Sequence, residues 1–295
     1  MTFHLLGYAC GIAAGDTGCA DGPVALWHEN IAAQLAPFNI AAETFPLFYP
    51  EMGTDKYVQI AEICQRLSQS TENLSRQKQL FAVMGGDHAC AIGTWGGVSR
   101  ALRSQGDIGL IWIDAHLDSH TPDTSHSGNI HGMPLAVLLG YGDARLTSLV
   151  SPVLKPQNVC VVAARSYETE EKAFLEKLNV RIFYQQEIRR RGLSAVLRDA
   201  KQQVTQSTVG FGVSLDLDSI DPLEAPGVGT PEINGLHVHA LYPALRRHIA
   251  PDPRWLGTEI TEFNPHHDFQ GKTRRVVLQS LIALFGEKPH VRSHA

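Results

Sequence analysis

The 295-residue chain is long for one domain, but it fits a single large α/β sheet, and we predict one domain over residues 1–295. Hydrophobic residues make up 43% of the chain and charged residues 19%, which is typical of a globular protein and excludes a disordered one. A formal net charge of -5 does not favour binding to nucleic acid or to an anionic membrane, so a small-molecule partner is expected.

Short apolar runs alternate with helical patterns along the chain. The predicted strands are residues 81–84, 108–113, 159–163, 211–215 and 255–260, each too short for a helix and too continuous for a half-exposed strand. The predicted helices are residues 55–70, the stretch after Gly86, and residues 170–178, 193–203, 239–249 and 272–285. This alternation predicts a mostly parallel sheet with helices on both faces, a three-layer α/β/α fold. Ligand sites in such folds lie outside the carboxyl ends of the strands.

The first predicted strand is followed by two glycines, Gly85 and Gly86, and then by Asp87 and His88. Paired glycines permit a close backbone approach and a sharp turn. The turn would direct His88 into the mouth of the sheet. We interpret Asp87 as structural.

Two further strands end in alternating acids. Asp114, His116 and Asp118 follow residues 108–113, and side chains at every second position of an extended segment point the same way. A single motif of this kind also occurs in capped surface turns. Asp216 and Asp218 repeat the pattern after residues 211–215. Buried unpaired carboxylates are costly, so two such strand ends require a cation or a solvated mouth, and a solvated mouth does not explain the imidazoles.

Together these side chains predict a site for two metal ions. Four aspartates and two histidines carry a charge of about −4, which two divalent ions would neutralise. An oxygen-rich set with imidazole and no thiol suits manganese better than zinc. Asp221, which precedes Pro222, is interpreted as part of a turn.

Residues 85–88, 114–118 and 214–222 resemble the three metal-ligand signatures of the ureohydrolase family, which includes arginases and agmatinases. They occur in the family's order and spread over most of the chain. The resemblance implies an eight-stranded, mostly parallel sheet with two Mn²⁺ ions per subunit at the strand ends. It implies that Asp114 and Asp216 bridge the ions. One ion would be completed by His88 and Asp118, and the other by His116 and Asp218.

The resemblance also implies the groups that act on the substrate. A metal-bridging hydroxide would attack a guanidinium carbon, releasing urea. Glu262 would pair with the guanidinium, Thr230 would line the same pocket, and His131 matches the family's proton-shuttling histidine. Seven other histidines are interpreted as surface or core residues: His4, His28, His237, His239, His248, His266 and His267.

The loop over residues 118–131 resembles the arginase branch of the family. Ser125, Ser127 and Asn129 match positions that hold the α-carboxylate of arginine, and hydroxyl and amide groups are suitable donors for that anion. His120 departs from the pattern, because arginases have an asparagine there. An imidazole can still donate a hydrogen bond, with an altered pH dependence.

Glu168 is a second departure, since it occupies an aspartate position near the α-amino group, whereas Glu171 matches the family. The additional methylene of Glu168 would retune specificity among guanidino substrates. Acids at residues 168–171 are equally well explained as a solvated helix start.

The leading hypothesis is a manganese-dependent hydrolase that converts L-arginine to urea and L-ornithine. The alternatives are hydrolysis of agmatine or a guanidino acid, and a non-catalytic metal-binding protein. A dinucleotide-binding domain is disfavoured because the glycines of residues 11–22 form no G-x-G-x-x-G motif. By resemblance, we expect a homo-oligomer, either a trimer or a hexamer.

The chain shows no signal peptide and no spanning helix, and its five cysteines form no C-x-x-C pair. We therefore expect a cytoplasmic protein without disulfides. The residues from about 288 onward are predicted to form a loose tail.

Overall fold

The computed structural model describes residues 2–53 and 55–286, and the eight strands found there form one sheet. The strands are β1 (Thr2–Tyr8), β2 (Ala41–Thr44), β3 (Phe81–Gly85), β4 (Ile108–Ile113), β5 (Val159–Ala164), β6 (Arg181–Tyr184), β7 (Gly210–Asp216) and β8 (Trp255–Thr261). Their order is β2-β1-β3-β8-β7-β4-β5-β6, and every neighbouring pair is parallel. The predicted α/β sheet is therefore confirmed.

Helices of very different lengths connect the strands. They are α1 (Asp21–His28), α2 (Ile31–Leu35), α3 (Lys56–Arg76), α4 (Cys90–Leu102), α5 (Pro134–Leu138), α6 (Ala144–Thr147), α7 (Thr169–Lys177), α8 (Gln185–Arg191), α9 (Leu193–Val204), α10 (Val238–His248) and α11 (Lys272–Phe285). Asp55 caps α3 by accepting hydrogen bonds from the backbone of Tyr57 and Val58, and this helix continues six residues beyond the predicted end at residue 70.

Alternating side chains of the central strands pack into two separate hydrophobic cores, one on each face of the sheet. In β4, Ile111 and Ile113 belong to the core beneath α9, α10 and α11, whereas Leu110 and Trp112 belong to the core beneath α3 and α4. All six residues of this strand are buried. A strand that is apolar at every position is thus explained by helices on both faces, which gives the three layers.

Three strands were not predicted, and each lies outside the central part of the sheet. β2 and β6 are the edge strands, and none of the residues of β2 is fully buried, so their sequences lack the continuous apolar run of a central strand. β1 is interrupted by His4 and Gly7, although it is paired on both sides. The missed strands support the sheet without carrying the predicted site.

The strand order places β3, β8, β7 and β4 side by side at the centre of the sheet. Their carboxyl ends therefore meet in one place, and all of the predicted metal ligands lie at or shortly after the ends of β3, β4 and β7. The predicted tail lies outside the described residues. Within residues 2–53 and 55–286, no helix has both the length and the apolar character needed to cross a membrane.

Candidate metal centre and substrate pocket

The turn after β3 is held against the segment after β1. The amides of Gly86 and Asp87 donate to the carbonyl oxygens of Tyr8 and Cys10, each at 2.8 Å. A Cβ atom at Gly86 would lie 2.1 Å from the Cys10 oxygen, so only glycine permits this approach. The predicted role of the glycines is confirmed, and the turn buries His88 at the centre of the mouth.

The Nδ1 atom of His88 lies among three carboxylates. It is 3.0 Å from Asp118 Oδ2, 3.0 Å from Asp216 Oδ2 and 3.3 Å from Asp114 Oδ2. It makes no directed hydrogen bond to any of them. Ligand atoms that each lie about 2.1 Å from one ion at right angles are roughly 3 Å apart. His88, Asp114 and Asp118 are therefore spaced as ligands of a single cation, and Asp216 approaches the same nitrogen of His88.

A second group shares Asp114 with the first. His116 Nδ1 is 3.0 Å from Asp218 Oδ2 and 3.6 Å from Asp114 Oδ1. The two oxygens of Asp114 thus face different imidazoles, as expected for a carboxylate between two ions. Two trios of side chains each have their ligand atoms within 4.8 Å of one another. One consists of His88, Asp114 and Asp118, and the other consists of Asp114, His116 and Asp218. The residues present fit a binuclear metal centre.

The electrostatics of the centre also favour cations. Burial raises the pKa of Asp216, and the charges of Asp218 and Asp114 raise it further. Burial and the charge of Asp114 raise the pKa of Asp118 to about 6. Four carboxylates held this close together repel one another, and two divalent ions would remove that repulsion.

Two residues that the sequence analysis did not single out support the ligands. Ser214 Oγ is 2.8 Å from His88 Nε2, so the imidazole is held by the nitrogen that faces away from the carboxylates. The indole of Trp112 stacks on the His88 ring at a centroid distance of 4.1 Å and donates to Asp114 Oδ2 at 2.8 Å. Ser214 and Trp112 each precede a ligand by two positions on a strand, so strand periodicity alone could have identified them.

Replacing Ser214 by alanine should weaken metal binding roughly 10- to 100-fold, because groups that orient a ligating histidine contribute about that much to affinity. The check is the dependence of metal content on free Mn²⁺ in equilibrium dialysis. Ser280→Ala is the matched control, since Ser280 is a buried serine in α11 without a side-chain hydrogen bond. An unchanged affinity in Ser214→Ala would contradict the supporting role.

Glu262 and His131 form a pair beside the centre. Glu262 Oε1 accepts a hydrogen bond from the His88 amide at 2.9 Å and lies 3.1 Å from His131 Nδ1. Burial lowers the pKa of His131, but the hydrogen bond and charge of Glu262 outweigh burial and raise it to about 9. The imidazole is therefore protonated at neutral pH and able to donate a proton.

A cavity of about 350 Å³ opens over the metal-ligand groups. All nine residues predicted to act on or bind the substrate line it: His120, Ser125, Ser127, Asn129, His131, Glu168, Glu171, Thr230 and Glu262. Ser166 and Tyr167 line it too and were not predicted. Thr230 Oγ1 donates to Asp218 Oδ2 at 3.1 Å, which ties the wall of the cavity to the centre.

His120 and Glu168, the two residues that depart from the family pattern, lie next to each other in this wall. His120 Nε2 is 3.1 Å from Glu168 Oε2, and His120 Nδ1 is 3.1 Å from Thr124 Oγ1. Both ring nitrogens are thus engaged, so His120 must break one of these contacts before it donates to a substrate. The structure gives His120 a clear partner within the protein, and its substrate contact stays a prediction.

Glu168 and Glu171 belong both to a helix start and to the wall of the substrate cavity. Glu168 is the N-cap of α7, and its amide donates to Glu171 Oε2 at 3.1 Å in a capping box. The same two side chains also line the cavity. Burial and the adjacent Glu168 raise the pKa of Glu171 to about 8. The helix start thus holds both carboxyl groups at the mouth of the cavity.

The two remaining aspartates have structural contacts. Asp87 accepts hydrogen bonds from the amides of Ala13 and Ala89 at 3.1 Å each. Asp221 accepts from the amides of Leu223 and Gly235, also at 3.1 Å, and so closes a turn. Neither is in a group of potential metal ligands among the described residues. These hydrogen bonds support the interpretation of both as structural residues, which stays a prediction.

Comparison with known proteins assigns the family. The sequence model of the Arginase family matches residues 1–286. An arginase from Brevibacillus brevis is 34% identical over 294 residues, covering 96% of this chain and 97% of that protein. An arginase from Bacillus caldovelox is 38% identical over 78% of this chain and 76% of its own length. The crystal structure of Bacillus cereus arginase superposes with a TM-score of 0.90 at 32% identity, covering 98% of this chain and 99% of that chain. This chain therefore belongs to the arginase family.

Proposed function

We propose that this protein hydrolyses the guanidinium group of L-arginine to urea and L-ornithine with two Mn²⁺ ions per subunit. The observation that carries the proposal is the position of Asp114 between two imidazoles, beneath a cavity that also presents Glu262 and His131. The ligand set contains oxygen and imidazole and no thiol, which suits manganese. The curated relatives from Brevibacillus brevis and Bacillus caldovelox are arginases, which supports the same reaction.

Two divalent ions, when bound, supply Lewis acidity and lower the pKa of a water molecule towards neutrality. Around them, Glu262 offers a buried carboxylate that is fixed by the His88 amide and can orient a guanidinium cation. His131 holds a proton near neutral pH and can deliver it to the departing amine. The cavity therefore contains one group to position the substrate and one to protonate the leaving group.

The outer part of the cavity favours an amino-acid head group. Ser125, Ser127 and Asn129 offer hydroxyl and amide groups to an α-carboxylate, and Glu168 offers a carboxylate to an α-amino group beside the carboxyl group of Glu171. No lysine or arginine lines this cavity within the described part of the chain. A carboxylate there would thus depend on neutral donors.

The experiment is a urea assay with the Mn²⁺-loaded protein and a panel of arginine, agmatine and short guanidino acids. Arginine is expected to give the highest kcat/KM, because only it offers both an α-carboxylate and an α-amino group. Urea from agmatine but not from arginine would overturn the substrate assignment. The absence of urea from every guanidine, with fewer than two equivalents of metal bound, would favour the non-catalytic alternative.

Three further aspects of the proposal follow from the family resemblance. Assays after loading with iron, cobalt or nickel in place of manganese would compare the metals, since the same ligands bind all four. We propose a homo-oligomer, trimeric or hexameric, to be checked by light scattering on the purified protein. Location in the cytoplasm is to be checked by fractionation.

A further inference from the structure

A second set of metal-ligating side chains lies at the surface, where α10 begins. Glu224, His237 and His239, here called the α10 cluster, each offer one ligand atom within 4.8 Å of the others. None of the three lines the substrate cavity. His237 is the N-cap of α10, and His239 lies in its first turn. The α10 cluster is therefore separate from the binuclear centre.

The geometry of the α10 cluster resembles that of a metal site before the ion is bound. His237 Nδ1 is 2.7 Å from Glu224 Oε1. The rings of His237 and His239 are stacked, with centroids 5.4 Å apart and planes inclined by 19°. Two imidazoles and one carboxylate can bind a divalent transition-metal ion and leave its other coordination positions open to water.

A helix cap explains only part of this arrangement. Glu224 Oε2 accepts a hydrogen bond from the Val238 amide at 3.0 Å, so Glu224 satisfies an exposed backbone donor of α10. The pairing with His237 holds that carboxylate in place. The cap gives no role to His239, whose exposed imidazole is brought over His237.

We propose that Glu224, His237 and His239 bind one divalent transition-metal ion, for which Zn²⁺ is the probe. The ion would take the place of the proton that lies between His237 Nδ1 and Glu224 Oε1, and that proton would move by way of water to His237 Nε2, so that the imidazole stays neutral. The positive end of α10 opposes a cation, and the charge of Glu224 offsets this.

The position of the α10 cluster gives the ion a structural consequence. Glu224 and His237 stand at the two ends of a segment that carries Thr230 and Glu232. Thr230 contacts Asp218, and Glu232 Oε1 lies 3.8 Å from His116 Nε2. An ion that joins both ends of this segment would hold one wall of the substrate cavity. Its effect would be on stability, because none of its ligands enters the cavity.

The test is a count of bound metal on the Mn²⁺-loaded protein after dialysis against Zn²⁺. The sum of manganese and zinc per chain is measured by mass spectrometry for the parent, His239→Ala and His28→Ala. His28 is an exposed histidine of α1 outside every group of potential ligands described here, so it is the matched control. We expect His239→Ala to bind one equivalent fewer than the parent, and His28→Ala to bind the same number.

Two results would overturn the site. Equal metal counts in all three proteins would show that the α10 cluster is only a helix cap. A loss in His28→Ala as large as that in His239→Ala would show that exposed histidines bind zinc without a defined site. Because the comparison is a difference between variants, it does not depend on whether the protein cleaves arginine.

A second readout separates binding from damage to the fold. Zn²⁺ should raise the Tm of the Mn²⁺-loaded parent, and this shift should be lost in His239→Ala. Urea formation by His239→Ala without Zn²⁺ should equal that of the parent, since His239 is exposed and outside the cavity. A full Zn²⁺-induced shift in His239→Ala would contradict the proposal.

Discussion

Asp216→Asn is expected to reduce the turnover of arginine by on the order of a thousandfold, which corresponds to about 4 kcal/mol of lost stabilisation from the metal pair. Asp216 ends β7, where its Oδ2 lies 3.0 Å from His88 Nδ1 and its Oδ1 accepts from the Asp218 amide at 2.8 Å. Asparagine preserves the shape and the oxygen that binds the Asp218 amide. It removes the negative charge, so the effect reports on the charge shared with the metal ions.

The measurement pairs kcat/KM for arginine with the metal content of the same sample. Ser219→Ala is the control, because the Ser219 hydroxyl donates to the Asp216 carbonyl oxygen at 2.6 Å and so lies in the same turn without offering a carboxylate. Loss of that hydrogen bond should cost about 1 kcal/mol of stability and little turnover. Near-normal turnover by Asp216→Asn would place the metal centre elsewhere.

The second large effect is expected for His131→Asn, which should lower kcat about 10²- to 10⁴-fold because a positioned general acid contributes that much. The parent holds the His131 proton up to a pKa of about 9, above the ordinary value of 6.5. Activity that depends on this proton should therefore fall as the pH rises through about 9. The variant should lack this decline, since asparagine does not titrate.

The raised pKa of His131 also affects the stability of the folded protein. A pKa that is raised on folding stabilises the folded state below pH 6.5, and the contribution is lost as the pH rises through about 9. The check is kcat as a function of pH, with unfolding followed at the same pH values. His126→Asn is the control, because His126 is exposed in the same loop and does not line the cavity. An alkaline decline that persists in His131→Asn would assign the proton to another group.

Much of this architecture follows from local sequence patterns. The strands β3, β4, β7 and β8 could be predicted because helices cover both faces of each strand, so that their sequences are mostly apolar runs. β2 and β6 lie at the edges and lack this signal. Prediction failed at β2 and β6, which are only partly covered, and at β1, which is buried over residues 3–8 but whose apolar run is interrupted by His4 and Gly7.

In the candidate site, too, some arrangements could be predicted from the sequence and others could not. Asp114, His116 and Asp118 could be grouped because neighbouring positions on one segment determine where their side chains point. The pair formed by His120 and Glu168 could not be foreseen, because its two members come from different loops and meet only after α7 has been placed. Sequence periodicity predicts which residues share a face, and contacts between loops require the fold.

The position of β8 has a consequence for how the protein is made. β8 is the last strand in the chain, yet it pairs with β3 on one side and β7 on the other. Before the ribosome has synthesised it, the two halves of the sheet have no strand to join them. Contacts between such distant parts of a chain form slowly and late. A nascent or truncated chain that lacks β8 would therefore not hold His88, which follows β3, against the ligands at the ends of β4 and β7, which pair directly with each other. The binuclear site can thus be completed only after synthesis is almost complete.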